Sequence, residues 1–271
     1  MTDARFADKV VVITGGASGI GRACALAFGR AGASVVIADL NADRLAEVGK
    51  ELQDLGVPAL TQVCDVSQDA EVDRLAQAVK ARFSRTDILM NNAGVMLRGP
   101  LEKMPIAEWE WIFGINLFGP IRGLRAFLPD MIARGSGHII NTASLGGLIG
   151  GRPHSAGYSA SKFALVGLSE TLFVYLKPKG IGVSVLCPGG VKTNLPEQIR
   201  LSAEAESAEG YGLGEAFGSD AVEPDAVAQM VLEGVATGQF LILTDPRHQA
   251  LLTHRVTNLQ TFVENRARAG G

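Results

Sequence analysis

The stretch Val10-Val11-Val12-Ile13-Thr14-Gly15-Gly16-Ala17-Ser18-Gly19-Ile20-Gly21 decides the fold. A continuous β-rich run opens directly into a glycine-rich turn, and a helical pattern over 19–31 follows. A strand buried on both faces reads as such an unbroken apolar run. The glycines permit a tight turn and close backbone approach. The helix start offers unpaired N–H groups and a partial positive charge to a pyrophosphate. A glycine-rich turn alone says little. Placed after a strand, before a helix and at the first β–α connection, it marks a dinucleotide site.

The same rhythm continues along the chain. VVVIT (10–14), SVVIAD (34–39), LTQVCD (60–65), DILMN (87–91), HIINTAS (138–144), GVSVLCP (182–188) and FLILT (240–244) read as strands. Helices are expected at 19–31, 41–54, 68–83, roughly 105–134 and 158–178, the last ended by Pro178 and Gly180. Alternating β and α elements predict a doubly wound parallel α/β sheet. No linker or internal repeat divides residues 1–271, which read as a single domain. Two segments break the pattern. A polar, Gly-rich insertion occupies about 194–224, and long insertions of this kind are usually lids or disordered. The tail 246–271 spaces Leu251, Leu252, Val256, Leu259 and Phe262 as an amphipathic helix packing on the body or on another subunit.

Composition narrows the function classes. A net charge of −3 gives no electrostatic reason to expect nucleic acid or an anionic membrane. No apolar run approaches the roughly 18–20 residues of a membrane span, and the N-terminus has no signal-peptide pattern. Cys24, Cys64 and Cys187 are widely spaced and read as buried thiols of a reducing, cytoplasmic compartment. The four histidines show no ligand spacing, so no metal is expected.

Asp39 ends the second strand, where a carboxylate can bond the ribose hydroxyls of NAD and repel a 2′-phosphate. It could instead cap the helix at 41–54, a role open to Asn41 as well. Positions 38–43 hold no Arg or Lys, which favours NAD over NADP. Further along, Tyr158 and Lys162 lie four apart, on one helical face. Ser144 precedes Tyr158 by 14 positions. A phenol, an ammonium and a hydroxyl can together move a proton on and off an oxygen.

These residues together strongly resemble the short-chain dehydrogenase/reductase family, in its shorter Tyr-x-x-x-Lys subgroup. The match runs in order through TGGASGIG (14–21), Asp39, Cys64-Asp65-Val66, Asn91-Asn92-Ala93-Gly94, Asn116, Ser144, Tyr158 with Lys162, and PGGVKT (188–193). The resemblance implies a seven-stranded Rossmann sheet and a homotetramer or homodimer. It implies a cofactor set of Gly15, Ser18, Gly19, Ile20, Gly21, Asp39, Leu40, Asp65, Val66, Asn92, Gly94, Tyr158, Lys162, Val191 and Thr193. Asp65 and Val66 would hold the adenine, Asn92 and Gly94 would lie against the ribose, and Val191 and Thr193 would contact the carboxamide.

The same resemblance implies a mechanism by hydride transfer in which Tyr158 is general base or acid. A free tyrosine titrates near 10, so bringing it to working pH needs about 3–4 kcal/mol of preference for the phenolate. An ammonium about 4–5 Å away supplies roughly that much at an effective dielectric near 20. Lys162 would also bond the nicotinamide ribose, Ser144 would donate to the substrate oxygen, and Asn116 would bind a water linking Lys162 to solvent. The Ser144–Tyr158 separation is about one residue longer than is common in the family; the extra room falls in the loop 145–157, which carries His154. His154 reads as a solvent-exposed loop residue.

The pocket should be lined by 95–98, 145–154, 189–191 and the insertion, with Val95, Met96, Leu97, Leu145, Leu148, Ile149 and Leu195 as apolar walls. Arg98, Arg152 and Arg200 read as solvated charges. The expected substrate is a neutral, hydrophobic secondary alcohol or its ketone. Segments such as EWEWIFGINLFGPIRGLRAFLPD are similar to the aryl-alcohol Cα-dehydrogenase branch. A 3-oxoacyl or steroid ketone reductase using NADP, and a non-catalytic dinucleotide sensor, stay open as alternatives.

Overall fold

The continuous apolar strands divide their side chains between the two faces of one sheet. In β1 (Val10–Thr14), Val11 and Ile13 enter one hydrophobic core while Val10 and Val12 enter the other. In the parallel neighbour β2 (Ser34–Asp39), Val35 and Ile37 join the first core and Val36 and Ala38 the second. Successive side chains on a strand point to opposite faces, so a run buried throughout must be covered on both.

A computed structural model describes residues 3–150, 153–193, 199–202 and 221–268. After β1 come α1 (Gly19–Arg30), β2, α2 (Ala42–Asp54), β3 (Ala59–Val63), α3 (Asp69–Phe83) and β4 (Ile88–Asn91). Next are β5 (Met96–Arg98), α4 (Ile106–Asn116), α5 (Phe118–Arg134), β6 (Gly137–Thr142), α6 (Gly146–Ile149), α7 (Ala156–Leu176) and β7 (Ile181–Cys187). The remainder holds β8 (Ile199–Leu201), α8 (Pro224–Thr237), β9 (Leu241–Leu243), α9 (Pro246–Thr257) and α10 (Leu259–Arg268). The main sheet has seven strands, all parallel, in the order β3-β2-β1-β4-β6-β7-β9. This is the doubly wound Rossmann arrangement expected from the alternation. The order reverses between β1 and β4, and a crevice opens there at the strands' carboxyl ends.

Several elements differ from the expected ones. The helix expected over 105–134 divides at Leu117 (φ −120, ψ −55) into α4 and α5. β5 and β8 form a separate two-stranded parallel sheet, too short to stand out in the sequence. α8 was not anticipated; it packs against α1 and buries Val227, Ala228 and Val231. The tail forms two helices, not one, breaking at Asn258. Of the insertion expected at 194–224, residues 194–198 and 203–220, including Leu195, lie outside the described residues. The three cysteines are buried and unbonded. Among the described residues, no helix is long and apolar enough to cross a membrane.

Candidate active site

Thr14 and Asn91 end β1 and β4 at the crevice. The Thr14 hydroxyl accepts the Asn92 and Ala93 backbone N–H groups, at 3.0 and 3.2 Å. The Asn92 side-chain amide donates to Thr14 O and Gly15 O, both at 3.1 Å. Asn92 thus clamps the glycine turn to the strand beside it, which is a role sequence reasoning did not give it. Gly15 has φ +64, and a Cβ there would stand 2.8 Å from Ala93 Cα. Only glycine meets both conditions at little cost. Gly21 serves packing: a Cβ there would lie 2.1 Å from Gly15 O.

Gly15, Ser18, Gly19, Ile20, Asp39, Asn92, Gly94, Tyr158, Lys162 and Thr193 line one crevice. At its floor α1 begins without a side-chain cap from Ser18. Its first-turn N–H groups are therefore left for an anion, which is the requirement of a pyrophosphate. Asp39 sits at the side. Its Oδ2 accepts Ala17 N and its Oδ1 accepts Asn41 N, each at 3.1 Å. Asn41 fills the helix-cap role by accepting Arg44 N at 2.9 Å. Asp39 is accordingly held by two backbone donors, with lone pairs left for ribose hydroxyls. These features fit a dinucleotide. Leu40 is 64% exposed beside Asp39. Asp65 accepts Ser67 N at 2.8 Å, the plain turn role of such a residue, while Val66 is buried. Neither Leu40 nor Asp65 lines the crevice as described.

α7 carries Tyr158 and Lys162 on one face. Lys162 is 4% exposed; its Nζ donates to Thr142 O at 2.8 Å and lies 5.8 Å from the centre of the Tyr158 ring. Burial pushes its pKa down from 10.5 to about 8, so it stays mostly charged at pH 7. Gly94 supplies clearance, since a Cβ there would meet Lys162 Nζ at 3.2 Å and Asn116 Oδ1 at 3.3 Å.

Asn116 is fully buried at the α4–α5 break. Its Oδ1 accepts Val95 N at 2.9 Å, and its Nδ2 donates to Val95 O at 3.0 Å and Ser161 Oγ at 3.1 Å. Ser161 in turn donates to Tyr158 O at 2.8 Å. Both amide hydrogens are spent on the protein. The Asn116 side chain therefore anchors the 95 loop to α7, and any water it helps to hold must use another atom.

Ser144 and Tyr158 line a second cavity that adjoins the crevice; Tyr158, Ile20, Pro188 and Thr193 border both. Ser144 Oγ accepts Gly146 N at 3.0 Å, which leaves its O–H to donate. Met96, Arg98, Leu145, Ile149 and Val191 line this cavity as expected from their segments. Leu97 does not: strand alternation turns it into a cluster with Met104 and Ile112. Leu148 packs on the cluster of Leu165 and Val185, and Val95 on that of Leu97.

The expectation that Arg98 is a solvated charge is overturned, because it is 6% exposed and faces the cavity from β5. Arg200 is exposed and lies 5.0 Å over the Trp111 ring. Arg152 lies outside the described residues, and His154 is exposed as expected. His248, Leu251 and Arg266, from α9 and α10, also line the cavity and were missed. The apolar spacing of the tail was legible, but not the wall against which it folds.

A short chain dehydrogenase family model matches residues 9–204. The C alpha-dehydrogenase of Sphingobium sp. is 38% identical over 250 residues, covering 89% of this chain and 82% of that one. A short chain dehydrogenase/reductase from Burkholderia phymatum, solved in complex with NAD, superposes with a TM-score of 0.88 at 35% identity, covering 95% of this chain and 96% of that one. A metagenomic short-chain oxidoreductase solved in complex with NADP gives a TM-score of 0.72 at 34% identity, over 89% and 97% of the two chains.

Proposed function

The chain belongs to the short chain dehydrogenase family, and from that premise we propose that it interconverts a neutral, largely apolar secondary alcohol and its ketone using NAD(H). One observation carries this reading: Tyr158 borders both the dinucleotide crevice and the cavity that holds Ser144. A proton-transfer group at that boundary can serve a carbon whose hydride leaves toward the crevice. Bound NAD supplies the hydride acceptor. Tyr158 takes the hydroxyl proton in oxidation and returns it in reduction. Lys162, poor in partners for its buried charge, favours the Tyr158 phenolate and offers its remaining N–H groups to ribose oxygens. Ser144 donates to the substrate oxygen and holds it at Tyr158. Asn116 and Ser161 hold the catalytic turn of α7 in place.

The two-donor hold on Asp39 supports NAD as the cofactor, as does the NAD in complex with the Burkholderia phymatum protein. Met96, Leu145, Ile149 and Leu251 support an apolar substrate, and the name of the Sphingobium relative, C alpha-dehydrogenase, agrees with the aryl-alcohol branch that the sequence resembles. Exposed Ile106, Phe118, Ile121, Val174 and Tyr175 on α4, α5 and α7 support a homodimer or homotetramer. Tyr158→Phe tests the proposal. Turnover of secondary alcohols, followed at 340 nm, should fall by about a thousandfold or more while NADH binding stays within about threefold. Retained turnover refutes it.

A further inference from the structure

The second cavity contains a polar group that the reaction at Tyr158 does not use. His248 lies on α9, roughly ninety residues beyond Tyr158 in the chain, and its ring borders the cavity that holds Ser144 and Tyr158. The ring rests on the backbone of Gly189: a Cβ there would stand 2.4 Å from His248 Cε1 and 2.7 Å from Nε2.

This placement is built. Gly189 N donates to Thr244 Oγ1 at 3.1 Å, tying the loop after β7 to the approach to α9. Asp245 starts α9 by accepting Arg247 N at 2.8 Å. Arg255, farther along α9, lies 5.4 Å over the Phe163 ring of α7. Against this fixed frame, His248 Nδ1 is buried and has no hydrogen-bond partner among the described residues. Nε2 likewise carries no hydrogen bond among the described residues and, unlike Nδ1, is not closed off, so it is the nitrogen that a ligand in the cavity can reach.

Burial lowers the His248 pKa, so the ring is neutral near pH 7 and offers one N–H and one lone pair. The same cavity is lined by Met96, Leu145, Ile149 and Leu251 and by the hydroxyl-bearing Ser155 and Ser159. Arg98 and Arg266 also reach the cavity, but both are engaged by other protein groups, and Arg266 lies 5.9 Å over Phe262.

We propose that His248 determines specificity by hydrogen-bonding a neutral oxygen, a hydroxyl or an ether, on the arm of the substrate remote from the reacting carbon. This rests on the assignment of Ser144 and Tyr158 to the reacting end. A neutral imidazole on the wall of this cavity distinguishes an oxygenated arm from a hydrocarbon one. A site built to bond such an oxygen rejects the analogue that lacks it.

The test uses propiophenones carrying a hydroxyl or methoxy group at the meta or para position, each matched with its methyl or ethyl counterpart. Dissociation constants are measured by calorimetry on the full chain saturated with NADH and silenced by Tyr158→Phe, with and without His248→Phe. With His248 present, at least one oxygenated ketone should bind about tenfold more tightly than its hydrocarbon match. His248→Phe should bring that ratio to within about twofold of one, and His248→Gln should restore part of it. NADH binding confirms that each variant is folded.

A ratio unchanged by His248→Phe overturns the proposal, as does the absence of discrimination in every pair. Turnover of the alcohols by the unaltered protein separates the two readings. Discrimination that depends on His248 without any turnover overturns the assigned reaction alone. Turnover with discrimination indifferent to His248 overturns the His248 assignment alone. No binding by any ketone overturns both.

Discussion

Replacing Lys162 by Met should stabilise the nucleotide-free protein at neutral pH while removing its activity. Lys162 is 4% exposed, and burial lowers its pKa from 10.5 to about 8. The fold thus shifts the balance toward the neutral amine, although the ammonium still predominates at pH 7. Taken as the difference between 10.5 and about 8, at 1.36 kcal/mol per pH unit, holding the ammonium inside costs about 3 kcal/mol. Below pH 8 both folded and unfolded chains carry the proton, and the full penalty applies. Between about 8 and 10.5 the unfolded chain keeps a proton that the folded one has lost, so stability rises with pH. Above 10.5 the penalty is gone. Cys187, whose thiol burial pushes from 9.0 up to about 12, acts in the opposite sense above about pH 9, but both proteins carry it and its contribution largely cancels from the comparison of wild type with Lys162→Met.

Met keeps the unbranched shape of the side chain and removes the charge. It also forfeits the 2.8 Å hydrogen bond to Thr142 O, at roughly 1–2 kcal/mol. The expected net gain at pH 7 is therefore about 1–2 kcal/mol. Urea unfolding of both proteins at pH 7 and pH 10, without nucleotide, provides the assay. The wild type should gain about 2–3 kcal/mol relative to Lys162→Met across that interval. A difference that does not change with pH, or that changes in the opposite sense, would show the ammonium to be well satisfied in the fold and would refute the reasoning.

Two further substitutions probe the crevice. Gly94→Ala places a Cβ 3.2 Å from Lys162 Nζ and 3.3 Å from Asn116 Oδ1, so the ammonium must move by a few tenths of an ångström. Turnover should drop by about tenfold with NADH affinity changed by less than about threefold; unaltered kcat would deny Gly94 its clearance role. Asp39→Ala removes the acceptor for Ala17 N and Asn41 N. It should cost about 1–2 kcal/mol in stability and lower the preference for NAD over NADP by about tenfold or more. A preference that survives the change, measured by titrating both nucleotides, would mean another group makes the choice.

Much of the fold and of the site was legible because the signals are local. The continuous apolar runs of β1, β2, β4, β6 and β7 specify strands that must be covered on both faces, and the parallel sheet follows; the edge strand β3 is only partly buried. The glycine turn, Asp39 at a strand end, and Tyr158 with Lys162 one helical turn apart are each read within a few residues. What escaped depended on distant contacts. The α4–α5 break at Leu117 follows helical patterns on both sides, and at that junction the Asn116 side chain is bonded to Val95 and Ser161. The pairing of β5 with β8 joins segments about a hundred residues apart. Arg98 looked like a surface charge until strand alternation and the neighbouring layers enclosed it.

The sequence by itself determined where the seven strands of the main sheet and most of the helices between them fall, and it pointed to the glycine-turn crevice and to Tyr158 as the candidate proton-transfer group, because periodicity and short spacings are properties of the chain. The tertiary structure alone decided which side chains enclose the second cavity. Met96, Ser144, Gly189, His248 and Arg266 come from five separate segments, and their meeting depends on how α9 and α10 fold back over the sheet's carboxyl edge. That packing is set by surfaces complementary only in three dimensions, so no local pattern could announce it.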